Sequence, residues 1–206
     1  GASAAGAYTL ESKQVDEYVY NNDDMTVLFA AGNDGPSAKT LSTPGTAKNA
    51  ITVGASENNR PSFGSYADNI SQIAAFSSRG LTSDGRVKPD IVAPGTFILS
   101  TRSSLAPDSS FWANYNSKYA YMGGTSMATP LVAGNVALLR EHFIKNKGIT
   151  PKPSLIKAVL IAGAQDLGLG YPSGNQGWGR VSLDKSANAA FTNEAKALRT
   201  NEKAAY

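Results

Sequence analysis

An α/β domain with a mostly parallel sheet is what this sequence predicts, and three observations predict it. Short, continuous apolar runs alternate along the chain with longer segments of helical periodicity. Such a run, bounded by turn residues, suits a strand buried on both faces. Glycine is abundant, 20 of 206 residues, while only 17% of residues are charged, which fits many tight turns in a compact domain. Hydrophobic residues make up 41% of the chain, enough for a single domain of this length to bury a sizeable core. Strands alternating with helices imply a sheet covered on both faces.

The elements follow in order. Leu10 to Asn22 places Val15, Tyr18 and Val19 at helical spacing among polar neighbours, which predicts an amphipathic helix. Asp23 and Asp24 break it, and Met25 to Ala31 reads as the first buried strand. Gly32-Asn33-Asp34-Gly35-Pro36 then turns sharply. Ile51 to Ala55 is a second strand, and Asp90 to Ala93 and Phe97 to Thr101 are two more around the Pro94-Gly95 turn. Residues 102–122 read as a polar, aromatic loop region. A long helix is expected from Ser126 to about Lys145, ended by Lys145-Asn146-Lys147-Gly148, with basic residues before glycine. Within it Pro130 is expected near the first turn, where a missing N–H does least harm. Pro153 opens a further helix to about Ala164. A glycine-rich loop and a short helix near residues 184–190 complete the compact part, so residues 1–191 are expected to form the domain. Residues 192–206 read as a linker toward a further C-terminal domain.

Composition excludes several classes of function. The 19 basic residues give a net charge of +3 but are scattered, with no basic cluster interleaved with aromatics, so nucleic acid is not an expected partner. No apolar run approaches the ~20 residues that span a bilayer, so a membrane is not expected either. Cysteine is absent, which removes disulfides, thiolate metal sites and cysteine nucleophiles. The first residue is glycine with no signal-peptide pattern before it, so a processed or truncated chain is expected.

The stretch Gly123-Gly124-Thr125-Ser126-Met127-Ala128-Thr129-Pro130 carries the chemistry. It places one hydroxyl among small residues at the start of a long apolar helix. Glycines let a substrate backbone approach closely, and the free N–H groups of a first helical turn can hold a developing negative charge. A lone serine there is usually no more than a helix cap; eight residues in strand–loop–helix context point to a nucleophile. The pattern is not the esterase elbow, because Gly124-Thr125-Ser126-Met127-Ala128 lacks the second glycine of G-x-S-x-G. Ala30-Ala31-Gly32-Asn33 ends a buried strand on a carboxamide. Asn33 is either a simple turn residue or an N–H donor for an oxyanion.

With these motifs on the page, the chain resembles the subtilisin-like serine proteases, the subtilases. Gly124-Thr125-Ser126-Met127-Ala128-Thr129-Pro130 matches the family's nucleophile signature and Ala30-Ala31-Gly32-Asn33 its oxyanion-hole strand. Pro44-Gly45-Thr46-Ala47 leading into Ile51-Thr52-Val53-Gly54-Ala55, Phe76-Ser77-Ser78-Arg79-Gly80, Lys88-Pro89-Asp90-Ile91-Val92-Ala93-Pro94-Gly95 and Gln176-Gly177-Trp178-Gly179-Arg180-Val181 follow in the family's order. Residues 60–130 look closest to the large, oxidant-tolerant bacterial alkaline proteases. The resemblance implies a three-layer subtilisin-like α/β fold and a secreted serine endopeptidase acting on protein or peptide substrates. Ser126 is implied as the nucleophile, with its own N–H and the Asn33 side chain forming the oxyanion hole. Ala30, Ala31 and Gly32 are implied as one wall of the substrate pocket, with Gly1 and Ala2 as the stump of the opposite wall and Asp34 at the rim. Gly124 and Thr125 join the substrate-binding set. Thr43-Pro44 resembles a point where the family often has a cis peptide.

The family orders its triad Asp, His, Ser, and the Asp and His motifs precede everything matched here. The chain is therefore expected to be the C-terminal portion of the catalytic domain, lacking N-terminal strands, inactive alone, and partnered with the missing N-terminal half of the same domain. The alternative is a catalytically dead subtilisin-like binding or scaffold module. The one histidine, His142, lies sixteen residues beyond Ser126 on the same helix, about 24 Å along its axis, and cannot serve as the base. No cofactor is required for the chemistry. Structural calcium is expected only through Asp84 or Asp90, which read equally well as a solvated turn and a buried capping carboxylate. Ser154-Leu155-Ile156-Lys157 reads as a helix start, the glycine-rich segment 168–179 follows a helix and so does not suggest nucleotide binding, and Asn69-Ile70-Ser71 is a formal glycosylation triplet.

Overall fold

A computed structural model describes residues 5–189. Gly1, Ala2 and the expected linker 192–206 lie outside the described residues. Three parallel strands form the central sheet: β1 (Leu28–Ala30), β2 (Ile51–Ser56) and β3 (Ile91–Pro94), in the order β1-β2-β3. Leu28 pairs with Ile51 and Val53 with Ile91. All six residues of β2 are buried, as suits a central strand covered on both faces.

The helices are α1 (Leu10–Asn21), α2 (Thr125–Lys147), α3 (Pro153–Ala162) and α4 (Leu183–Ala187). On α2 the buried positions are Thr125, Ala128, Val132, Val136, Leu139 and Phe143, a single stripe at spacings of three and four. That stripe meets Ile51, Val53, Ala55, Ile91 and Ala93 from one face of the sheet, and Leu155, Ile156, Val159 and Leu160 of α3 complete the core. On the opposite face Thr52 Oγ1 donates to Gly45 O, so the loop 44–49 closes that side. α1 is bonded to this loop: Ser12 Oγ pairs with Thr46 Oγ1 at 2.7 Å, and the Asp16 carboxylate accepts the N–H groups of Lys48 and Asn49.

Two segments differ from expectation. The first strand is only three residues long, because Met25 N–H bonds back to Asn22 O in a turn and the ladder with β2 starts late. The region 102–122 is not all loop. β4 (Ile98–Thr101), β5 (Ala113–Asn114) and β6 (Tyr119–Met122) form a second, antiparallel sheet in the order β4-β6-β5. Strands of two and four residues set among serines and asparagines carry no readable alternation. Pro130 falls in the second turn of α2 instead of the first. The helix continues through it, and Thr129 Oγ1 donates to Thr125 O at 2.8 Å.

Candidate active site

The parallel strands all deliver their C-terminal ends to one crevice, where open α/β sheets place their ligand sites. Beyond β1 the chain bends at Gly32, whose φ of +108° lies in the region glycine favours. A β-carbon there would collide with the Ser42 hydroxyl and lie 2.8 Å from Ser78 Oγ. The bend is fixed on all sides: Ala31 N–H donates to Val53 O, Ser42 N–H to Ala31 O, Ser78 N–H to Gly32 O and Gly35 N–H to Phe76 O. Asp34 N–H donates to Ser78 Oγ. Asn33 leaves this anchored bend with its side chain exposed.

Beyond β3, Gly95 is bonded to Ser56 O through its N–H and accepts the Gly124 N–H at 2.8 Å. The second sheet carries the chain outward from here and returns it along β6 to Gly123 and Gly124, the residue capping α2. Its own N-cap residue, Gly124, has no side chain to cap it, so the first N–H groups of the helix must find other partners. Thr125 N–H donates to Asn33 Oδ1 at 3.0 Å, and Met127 N–H donates to Gly124 O. Among the described residues the N–H and hydroxyl of Ser126 have no hydrogen-bond partner, and Ser126 is exposed.

The Thr125 bond also fixes the Asn33 amide. Its oxygen accepts both the N–H and the Oγ1 of Thr125, each at 3.0 Å, so its nitrogen is the end left free. That nitrogen faces the same space as the free Ser126 N–H. Around the point where a β-carbon on Gly124 would sit, Asn33 Nδ2 lies at 3.6 Å, Ser126 N at 3.7 Å and Met127 Sδ at 3.6 Å. Two unspent N–H donors thus border one small volume beside an exposed hydroxyl. Such an arrangement can stabilise negative charge on an oxygen that develops there.

The other residues singled out in the sequence are placed as follows. Ala30 and Gly32 are partly exposed, whereas Ala31 is fully buried with both backbone polar groups spent inside. The surface at this bend therefore belongs to Ala30 and Gly32. Asp34 is exposed beside them. Gly124 and Thr125 are buried beneath the site, and Thr125 Oγ1 also reaches Gly32 O at 3.2 Å. They hold Ser126 and Asn33 in place. His142 lies on α2, with Nδ1 bonded to Asn146 Nδ2. The Thr43–Pro44 peptide is cis. Ser78 and Gly95, which brace the two halves of the site, carry no signal as lone residues; their only sequence trace is membership in the Phe76–Gly80 and Lys88–Gly95 motifs.

Both carboxylates weighed for calcium are engaged by cationic side chains. Asp84 accepts from Arg86 Nε at 2.9 Å and Thr82 Oγ1 at 2.6 Å, and these bonds, Arg86 first, hold it down to about 2. Asp90 is buried with Lys88 Nζ at 2.6 Å on one oxygen and Lys157 Nζ at 2.9 Å on the other. Thr52 N–H adds a third donor at 2.7 Å. Burial pulls the Asp90 carboxyl up, but Lys157 and Lys88 together outweigh it and hold the group below its ordinary value. Among the described residues no cluster of three or more His, Cys, Asp or Glu side chains is able to hold a metal ion.

Residues 2–179 match the Subtilase family of peptidases. The chain is 41% identical over 129 residues to the serine protease AprX of Bacillus subtilis, covering 62% of this chain and 28% of that protein. It is 38% identical over 198 residues to pyrolysin of Pyrococcus furiosus, covering 85% of this chain and 13% of pyrolysin. In structure it is similar to fervidolysin of Fervidobacterium pennivorans, described as a keratinolytic enzyme related to subtilisin, with a TM-score of 0.63 and 28% identity over 86% of this chain and 24% of that one. The chain thus spans less than a third of each of these proteins. With a family match across nearly the whole described region, and a serine and an asparagine meeting at the ends of its parallel strands, the chain belongs to the subtilase family.

Proposed function

We propose that this chain carries the nucleophile and oxyanion hole of a serine endopeptidase. The observation that supports it is the convergence of the free Asn33 Nδ2 and the free Ser126 N–H on one volume beside the Ser126 hydroxyl. Ser126 Oγ attacks the peptide carbonyl carbon, and its proton passes to a base. The carbonyl oxygen, now an oxyanion, accepts hydrogen bonds from Asn33 and the Ser126 N–H. Collapse breaks the C–N bond, the base returns the proton to the leaving amine, and water hydrolyses the resulting ester. His142 is not that base, being about 24 Å along α2 from Ser126. On this reading a histidine with its orienting aspartate comes from the rest of the catalytic domain, which is the chain's first partner. Protein or peptide is its substrate, and the work is done outside the cell.

The test is covalent labelling of the full-length protein with a fluorophosphonate, read by mass spectrometry, alongside hydrolysis of a denatured protein. The expected result is an adduct on Ser126 and hydrolysis abolished by Ser126→Ala. Hydrolysis that survives Ser126→Ala overturns the reading.

A further inference from the structure

Beside the site lies a second, open depression of about 450 Å³ whose walls are all aromatic: Tyr66, Phe76, Phe97 and Trp112. Trp112 is its centre. Phe97 meets it edge-on at 5.1 Å between ring centroids, Phe76 at 5.8 Å and Tyr66 at 6.4 Å. Phe63 stacks on Phe97 at 4.3 Å, so the walls are braced. These rings still face water: Tyr66 is 55% exposed and Trp112 39%. Four aromatic faces left open around one hollow are a cost in water unless something apolar fills it.

Two further observations set this hollow apart from incidental surface. Phe97 holds a φ of +46°, a conformation that a bulky non-glycine residue adopts only when its surroundings force it and that is common at ligand clamps. The walls are also joined to both halves of the active site. Phe76 O accepts the N–H of Gly35, two residues beyond Asn33. The Trp112 ring occupies the space where a side chain on Gly123, three residues before Ser126, would lie.

We propose that this hollow is a specificity pocket that takes an aromatic side chain of the peptide substrate at one fixed position relative to the cleaved bond. The occupant follows from the site it adjoins. A peptide held with its carbonyl between Asn33 and Ser126 runs past Gly123, and a neighbouring side chain is then within reach of the Trp112 cluster. An aromatic ring offers its edge to the open faces of that cluster in the geometry the four rings already use among themselves. The proposal rests on the endopeptidase reading above and names the substrate class of that site.

The experiment uses the full-length protein, a peptide library randomised around the cleaved bond, and sequencing of the products. Aromatic residues are expected to be enriched at one position, and the kcat/KM ratio of a phenylalanine peptide to its alanine counterpart there is expected to be about tenfold or more. Tyr66→Ala, a change at an exposed wall that leaves the core intact, is expected to lower that ratio severalfold, and Trp112→Ala to bring it toward one. Leu105→Ala, at a side chain 92% exposed and outside the lining of the hollow, leaves the ratio unmoved. Ser126-dependent hydrolysis without aromatic enrichment, or with a ratio indifferent to Tyr66→Ala, overturns the pocket and leaves the endopeptidase reading standing. Absence of any Ser126-dependent hydrolysis overturns both.

Discussion

Asn33 has two ends with different duties, and replacing it in two ways separates them. Its oxygen holds the N–H and the hydroxyl of buried Thr125, each at 3.0 Å, while its nitrogen borders the volume that the proposed reading assigns to the oxyanion. Asn33→Ala removes both. Loss of one such donor costs about 2.7–4 kcal/mol of transition-state stabilisation, a range measured on subtilisin and equivalent to roughly 10²–10³ in kcat. The same change strands the Thr125 N–H in a buried position, at a cost of about 1–3 kcal/mol in folding stability. Asn33→Asp keeps an acceptor for Thr125 and puts an oxygen where the donor was. That oxygen accepts from Ser126 N–H and repels the developing charge. The expected pattern is therefore a crossed one: Asn33→Asp is more stable than Asn33→Ala but no more active. The assay is kcat and KM on a peptide amide with the full-length protein, paired with urea midpoints for the three forms. KM is expected to move little, because the contact forms only as the carbonyl becomes an oxyanion. Recovery of kcat in Asn33→Asp would refute the reasoning, since it would mean that Asn33 acts only by holding Thr125.

Three other predictions come from the same structure. Lys88 is 2% exposed and burial pulls its ammonium from an ordinary 10.5 down to about 7; between those values the unfolded chain binds a proton that the folded one does not, so stability rises with pH across that window, by up to about 1.4 kcal/mol per unit. Urea midpoints near the two limits should show this rise in the wild type and lose it in Lys88→Met. Asp90→Asn removes the carboxylate that Lys88 and Lys157 share and is expected to cost roughly 3–5 kcal/mol, whereas Lys88→Met leaves Asp90 with Lys157 and the Thr52 N–H and is expected to cost far less; equal midpoints for the two variants would contradict this account. Met127 Sδ borders the same volume as the two oxyanion donors, so peroxide is expected to lower kcat more than it raises KM, and unchanged turnover with Met127 shown oxidised by mass spectrometry would remove the idea.

The parallel sheet and α2 were legible because their signals are local and redundant. β2, whose polar residues are only Thr52 and Ser56, is buried at every position, and the α2 stripe repeats from Ala128 to Phe143 at helical spacing. The second sheet was not legible. β6 is four residues long and β5 two, so neither offers enough alternation to outweigh its turn-forming neighbours. The aromatic hollow escaped for a different reason. Its four rings come from positions 66, 76, 97 and 112, and nothing periodic links them; only the packing of two loops and a hairpin brings them together.

Ser126 and Asn33 were found by their motifs, yet those motifs give no orientation. A carboxamide at position 33 is equally consistent with its oxygen or its nitrogen facing the crevice, and only one choice allows it to donate. The backbone makes that choice. Gly95 fixes Gly124 by accepting its N–H, α2 then presents the Thr125 N–H to Asn33, and that N–H demands an acceptor. With the amide oxygen committed to Thr125, the nitrogen has only the crevice left. A buried threonine thus sets the polarity of the donor beside it. Thr125→Val, which removes the hydroxyl but keeps the backbone N–H, should leave that polarity intact and lower kcat by far less than either change at Asn33. A loss as large as that of Asn33→Ala would shift the orienting role from the backbone N–H to the threonine hydroxyl.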